Sequence, residues 1–168
     1  ETSLKKIEGT LNGKKPSVIT DNELKVAPKA VREHVTDDSN VIFRPNTGPQ
    51  TDFLAAPERD VLYGGAAGGG KSYALLVDLL RYADMSEHRA LLLRRTLNEL
   101  TELVDKSKQI YPKAFPGAVF KEAKSMWVFP SGATAWFSYL DKDTDVTRYQ
   151  GQSFTWIGVD EITHYPTP

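Results

Sequence analysis

Hydrophobic positions are sparse over the first forty residues and regular after them. Residues 1–40 are polar and mixed in charge, and Lys14-Lys15-Pro16 and Pro28 interrupt any long helix. Thr20 and Glu23 have the spacing of a capping box, which suits one short helix there. The stretch reads as a partly flexible, solvated N-terminal arm or as an arm touching a neighbouring subunit. Order is expected from Val41-Ile42-Phe43 onward, giving one folded domain over residues 41–168. The apolar run Val61-Leu62-Tyr63 predicts a short strand, and Tyr73, Leu76, Val77 and Leu80 then mark one face of a helix from residue 71 to about 83. Arg89-Ala90-Leu91-Leu92-Leu93-Arg94-Arg95 has an uninterrupted apolar centre, as a parallel strand buried on both faces requires. Leu97, Leu100, Leu103, Val104 and Ile110 keep helical spacing to about Tyr111, where Pro112 should stop the helix.

Residues 125–129 and 133–140 flank Pro130-Ser131-Gly132 and predict a β-hairpin rich in aromatics. Its Trp127, Phe129, Trp136 and Phe137 read as core rather than as a platform for stacking bases. A last apolar strand, Phe154-Thr155-Trp156-Ile157-Gly158-Val159, runs into two adjacent acids, Asp160 and Glu161. The β-α-β-α alternation without an internal repeat predicts an α/β fold, a three-layer, mostly parallel sheet with an inserted hairpin.

Composition narrows the function. The 168 residues suit one domain, or a small domain with a tail, and their net charge of −1 provides no global basic field for nucleic acid. Any DNA contact must then be a local patch or lie in other sequence. The absence of cysteine removes disulfides, thiolate metal sites and cysteine nucleophiles. No apolar run approaches membrane-spanning length, and the first residues lack a signal-peptide pattern, so a soluble intracellular protein is expected.

The chemistry gathers around residues 65–72, Gly65-Ala66-Ala67-Gly68-Gly69-Gly70-Lys71-Ser72, which match the G-x-x-x-x-G-K-[ST] phosphate-binding loop. Glycines let successive backbone N–H groups turn toward one anion. Lys71 can reach the β- and γ-phosphates, Ser72 can ligate Mg²⁺, and the helix opening through Tyr73 points its positive end at the same phosphates. A carboxylate at the carboxyl end of a parallel strand is what the Mg²⁺ shell then needs; Asp160 fits, directly or through water. Glu161, where the strand ends, can orient and deprotonate an attacking water. Gln50, about 15 residues before the loop, either reads an adenine edge through its amide or belongs to a surface turn. The Asp-Glu pair and the lack of an Asn-Lys-x-Asp motif favour ATP over GTP. His34 and His88 read as solvated surface, and His164 lies close enough to the acids to sense the site.

Several segments together resemble the large terminase subunit of tailed bacteriophages. These are Gln50, the loop with its preceding Leu62-Tyr63-Gly64, Leu93-Arg94-Arg95-Thr96, Arg148-Tyr149-Gln150-Gly151-Gln152, and Ile157-Gly158-Val159-Asp160-Glu161-Ile162-Thr163-His164. The resemblance spans about residues 43–165 and implies a RecA-like additional-strand ATPase that drives double-stranded DNA into a preformed capsid. It implies ATP and Mg²⁺ as cofactors, Lys71 and Ser72 on the phosphates and metal, Asp160 in the metal shell, Glu161 as catalytic glutamate, and Gln50 near the adenine. The implied partners are DNA, a portal protein, a small terminase subunit and further copies in a ring on the capsid, in the cytoplasm of an infected bacterium. Ring motors of this kind reach a neighbour's γ-phosphate with an arginine, worth roughly 10³–10⁵ in rate. Arg148 is the candidate, with Arg94 and Arg95 behind it; the alternative for Arg148 is a surface ion pair with Asp143 or Asp145. The family's γ-phosphate-sensing strand and its nuclease domain have no counterpart in this sequence. The ATPase fold is therefore expected to be cut short after the Asp-Glu strand, since Tyr165-Pro166-Thr167-Pro168 makes no core strand. Such a chain should be aggregation-prone or oligomeric and hydrolyse ATP feebly. The alternatives to a packaging motor are a helicase- or recombinase-like DNA-dependent ATPase, and a nucleotide-binding assembly module without turnover.

Overall fold

The computed structural model describes residues 41–65, 68 and 70–165. The N-terminal arm with Thr20, Glu23 and His34 lies outside the described residues, as do Ala66, Ala67, Gly69 and residues 166–168. The chain divides into two compact units, Glu1–Ala74 and Leu75–Pro168.

In the first unit, helix α1 spans Pro49–Ala55. Proline suits a first helical turn because its missing N–H would have no helical partner there. Gly48, at φ +92°, turns the chain into α1, and its carbonyl accepts from the Asp52 N–H at 3.0 Å. The Phe53 ring stacks on Tyr63 with centroids 5.2 Å apart. The strand expected at Val61-Leu62-Tyr63 is not formed. A strand exists only through a ladder with a neighbour, and these residues belong to no strand of the described sheet. Leu62 is accordingly 81% exposed. Helix α2, Lys71–Leu79, starts in this unit and crosses the boundary.

The second unit is built on a five-stranded sheet in the order β2-β3-β4-β1-β5. Its strands are β1 (Arg89–Arg94), β2 (Val119–Lys121), β3 (Met126–Val128), β4 (Thr134–Tyr139) and β5 (Trp156–Val159). β1 pairs in parallel with β4 and β5, while β2–β3 and β3–β4 are antiparallel. The sheet is thus mixed rather than mostly parallel. The expected hairpin exists as β3 and β4, but it is not an insertion, because β4 is itself a member of the parallel body and continues outward through β3 to β2.

Helix α3, Leu97–Ala114, covers one face of this sheet. Thr96 caps it through the Glu99 N–H, and the Glu99 carboxylate accepts from the Thr96 N–H, a complete capping box. Pro112 does not end the helix as expected. It lies in the last turn and removes the helical bond to the Lys108 carbonyl, yet the helix runs on to Ala114 and the Phe115 N–H still bonds the Tyr111 carbonyl.

The register places Ala90, Leu92, Ala135, Phe137 and Trp127 on the covered face, all buried. Burying side chains such as Leu92 and Phe137 contributes about 1.5–3 kcal/mol each. Trp127 donates its indole N–H to Ser107 of α3 at 2.9 Å, and the Tyr111 hydroxyl donates to the Leu76 carbonyl of α2 at 3.0 Å. The Tyr111 ring meets Trp127, Phe129 and Phe137 edge-on or tilted. The aromatics at Trp127, Phe129 and Phe137 are therefore core, as their pattern implies, whereas Trp136 on the opposite face is only half-buried. Leu76, Leu79 and Ala83 form the buried side of the α2 segment in this unit, rather than Val77 and Leu80.

Trp156 reaches Asp78 of α2 at 2.9 Å, so α2 and α3 both lie on the Trp127 face. Among the described residues of this unit no α-helix covers the other face, although Leu91 and Leu93 on it are buried. The β4–β5 connection has no helical apolar period; it forms a 3₁₀ turn over Asp143–Tyr149 instead. His88 is also not surface. It is 2% exposed, with Nε2 3.0 Å from the Leu79 carbonyl and Nδ1 2.8 Å from the Thr155 hydroxyl. Burial lowers its pKa from 6.5.

Candidate functional site

The glycine-rich loop owes its path to residues that can take positive φ. Gly65, Gly68 and Gly70 stand at +143°, +83° and +72°. At Gly70 even the space is closed, because a Cβ would lie 2.6 Å from Nε2 of Gln50. That glutamine is 3% exposed. Its Nε2 donates to the Gly70 carbonyl at 2.9 Å, and its Oε1 accepts from the Asn46 N–H at 2.6 Å. Gln50 thus ties the end of the loop to the turn before α1, using both ends of its amide within the chain. Lys71 folds back across the loop and donates to the Gly65 carbonyl at 2.9 Å. Ser72 and Tyr73 are half-buried in the first turn of α2, which carries no acidic residue to offset its positive end.

The second candidate cluster lies at the carboxyl ends of β1 and β5. Their parallel pairing continues into the Asp160 N–H bond to the Leu93 carbonyl at 2.9 Å, which brings Asp160 beside Arg94. Arg94 donates to Oδ2 of Asp160 from Nε at 3.0 Å and from Nη2 at 2.7 Å. The two side chains are 9% and 4% exposed, so each charge depends on the other; removing one partner of such a pair costs about 3–5 kcal/mol. Oδ1 accepts from the Glu161 N–H at 3.1 Å. Glu161 itself is left-handed, at φ +53° and ψ +50°, a conformation that costs a non-glycine residue about 1–2 kcal/mol. Strain of this kind tends to sit at functional turns.

After Glu161 the chain makes one 3₁₀ turn, Ile162–His164. The His164 carbonyl accepts from Arg95, and its Nδ1 lies 3.4 Å from Glu99. Burial would raise the Glu99 pKa, but hydrogen bonds from Thr96 and His164 and the charge of Arg94 together hold it below its usual value. Tyr165 follows, its hydroxyl buried without a partner among the described residues and its pKa pushed up to about 12 by burial.

Arg148 is paired at 2.9 Å with Asp145, a buried carboxylate that also accepts the Asp141 and Lys142 N–H groups, each at 3.0 Å. The guanidinium lies over the Tyr139 ring, 5.1 Å from its centroid. Those backbone bonds, that of Lys142 first, lower the Asp145 pKa. The ion-pair alternative weighed for Arg148 is thus the arrangement within this chain.

The structure thus brings Gln50, Gly65, Gly70 and Lys71 together in one unit, and Arg94, Asp160 and Glu161 in the other. The bond from Arg94 to Asp160 escapes sequence reasoning because it joins residues 66 apart. The Thr96 cap was signalled by Thr-x-x-Glu at residues 96–99. Among the described residues no three acids or histidines form a metal cage, and no helix is long and apolar enough to cross a membrane.

The model of the family described as terminase large subunit, T4-like-virus type, N-terminal, matches residues 62–168. No curated protein and no solved structure matches the chain. Since that match covers well over half of the sequence and includes both the loop at residues 65–72 and Asp160-Glu161, the chain belongs to the terminase large subunits of the T4-like type, in their N-terminal part.

Proposed function

We propose that this chain is the ATP-hydrolysing part of a phage DNA-packaging motor, built as a RecA-like P-loop core. Family membership supports the packaging role. The observation that carries ATP binding is the loop itself, three positive-φ glycines opening onto α2, with Lys71 at its mouth and Gly70 at φ +72° with the Gln50 amide where a Cβ would stand.

In this reading Lys71 exchanges its bond to the Gly65 carbonyl for phosphate oxygens, and the backbone N–H groups of the loop, residues 65–72, cradle the anion. Gln50 sets the loop's end and lies near the adenine. Tyr73 lies beside the phosphates at the start of α2. Mg²⁺, when bound, neutralises phosphate charge; Ser72 and Asp160 would hold it. Since Asp160 already receives two bonds from Arg94, it fits a metal's water shell better than direct ligation. Mg²⁺ sites commonly combine a few carboxylates with water and substrate phosphates, so no preformed cage is needed. Glu161 orients the attacking water and takes its proton. Arg148 would serve a neighbouring subunit as the trans arginine only after leaving Asp145. Double-stranded DNA, a portal protein, a small terminase subunit and a ring of copies are the proposed partners, and the host cytoplasm the proposed location.

Two substitutions test this. Lys71→Ala should weaken ATP binding tenfold or more, about 1.4 kcal/mol or greater. Glu161→Gln should leave binding within about twofold and lower turnover by roughly 10²–10⁴, the usual worth of a general base. Nucleotide titration and phosphate release measure the two effects. ATP binding indifferent to Lys71→Ala, or turnover indifferent to Glu161→Gln, would sink the reading.

A further inference from the structure

We infer that Arg94 and Arg95 are positioning residues that clamp the turn over residues 160–164, and with it Glu161, against the start of α3. The inference rests on the reading of Glu161 as the residue that orients water. Three consecutive residues at the end of β1 reach the turn or support the group that does. Arg94 grips the Asp160 carboxylate from two nitrogens, and Asp160 in turn accepts the Glu161 N–H. Arg95 donates to the His164 carbonyl. Thr96 caps α3 and fixes Glu99, whose other contact is the His164 ring.

The turn needs such a clamp. Ile162, Thr163 and His164 are all exposed, so no apolar packing of theirs fixes it, while Glu161 must hold a left-handed conformation. Polar bonds from β1 and α3 bracket Glu161 on both sides, at residues 160 and 164. The same geometry removes Arg94 as an arginine that could reach another subunit, since its side chain is 9% exposed and committed to a buried carboxylate. Arg95 is half-buried and holds a backbone carbonyl of its own chain.

The test uses the full chain carrying Arg95→Ala, Arg95→Lys or Arg94→Lys. Removing the charge at Arg94 would strand Asp160 and endanger folding, so the half-buried Arg95 carries the main experiment. Amide exchange at residues 162–165 is read without nucleotide, and steady-state ATP turnover is read separately. Arg95→Ala should speed exchange in the turn by about tenfold while leaving β1 and the middle of α3 unchanged, as a local opening does. Turnover number should fall by about tenfold with KM for ATP within twofold, because orientation of Glu161 rather than binding is lost. Arg95→Lys should recover part of both, and Arg94→Lys, which cannot donate from two nitrogens, should loosen the turn without unfolding the sheet.

Unchanged exchange in Arg95→Ala overturns the clamp. So does lost turnover with unchanged exchange, which would mark Arg95 as touching the reaction itself. If exchange rises while the parent chain and Glu161→Gln turn over ATP alike, the clamp stands and the assignment of Glu161 fails.

Discussion

At His88 an imidazole sits between the Leu79 carbonyl and the Thr155 hydroxyl with almost no access to water. Burial disfavours its charged form and outweighs the Leu79 carbonyl and the charge of Asp84, so its folded pKa lies below 6.5. The sign follows from linkage. Below the unfolded value the unfolded chain binds the proton more readily, so stability present above pH 6.5 is lost as pH falls toward the folded pKa. Glu99, Glu102 and Asp145 are likewise held below their usual values, but their contributions fade only in the carboxylate range, at lower pH. Urea unfolding of the parent chain should therefore show stability falling between about pH 7.5 and about pH 5.5, and His88→Gln should flatten that slope. Equal slopes would show that His88 is not the group responsible. Single residues differ in how far sequence discloses them. Lys71 and Ser72 announce themselves because a phosphate loop fixes residue type at fixed spacing. His88, flanked by Glu87 and Arg89, looks solvated because the partners that bury it come from residues 79 and 155.

Among the elements, α3 shows what local pattern can and cannot specify. Its apolar period and its Thr-x-x-Glu start lie within a few residues of one another, so its existence and its cap are legible. Its partner across the sheet is not, because the bond between Trp127 and Ser107 depends on how the chain returns after β2. The run at residues 61–63 misleads in the opposite sense. It has a strand's composition, but composition supplies no ladder, and the described sheet does not include it. Two substitutions separate the local and the long-range contributions to α3. Thr96→Ala removes the cap and should cost about 1 kcal/mol. Ser107→Ala leaves the indole N–H of a 2% exposed Trp127 without its acceptor, at a cost of about 1–3 kcal/mol. The sites stand three turns apart, so the double variant should lose about the sum. Urea midpoints measured at constant slope check this, and a neutral Ser107→Ala would mean that water or another acceptor replaces the serine.

For the whole molecule the decisive feature is the outer side of β5. Among the described residues this strand pairs only with β1, and Ile157 on it is 59% exposed. An open edge with an apolar side chain is a template for another strand. The chain has little charge to resist such pairing, since its net charge is −1 and its sequence pI about 6.4. The same edge of a second copy can pair with it about a twofold axis. Ile157→Lys places a charge on that edge at a largely exposed position, opposite Leu91 in the register, so it should leave the thermal midpoint nearly unchanged. Sedimentation velocity over a concentration series should show the parent chain associating near neutral pH and the lysine variant remaining largely monomeric. Raising the pH well above 6.4 should also weaken association of the parent, by net repulsion between copies, whereas the lysine acts only locally, by setting like charges against each other where the two edges meet. If the variant associates as strongly as the parent, the contact lies elsewhere on the molecule; if its thermal midpoint falls steeply, Ile157 is packed against the chain itself and the edge is not free.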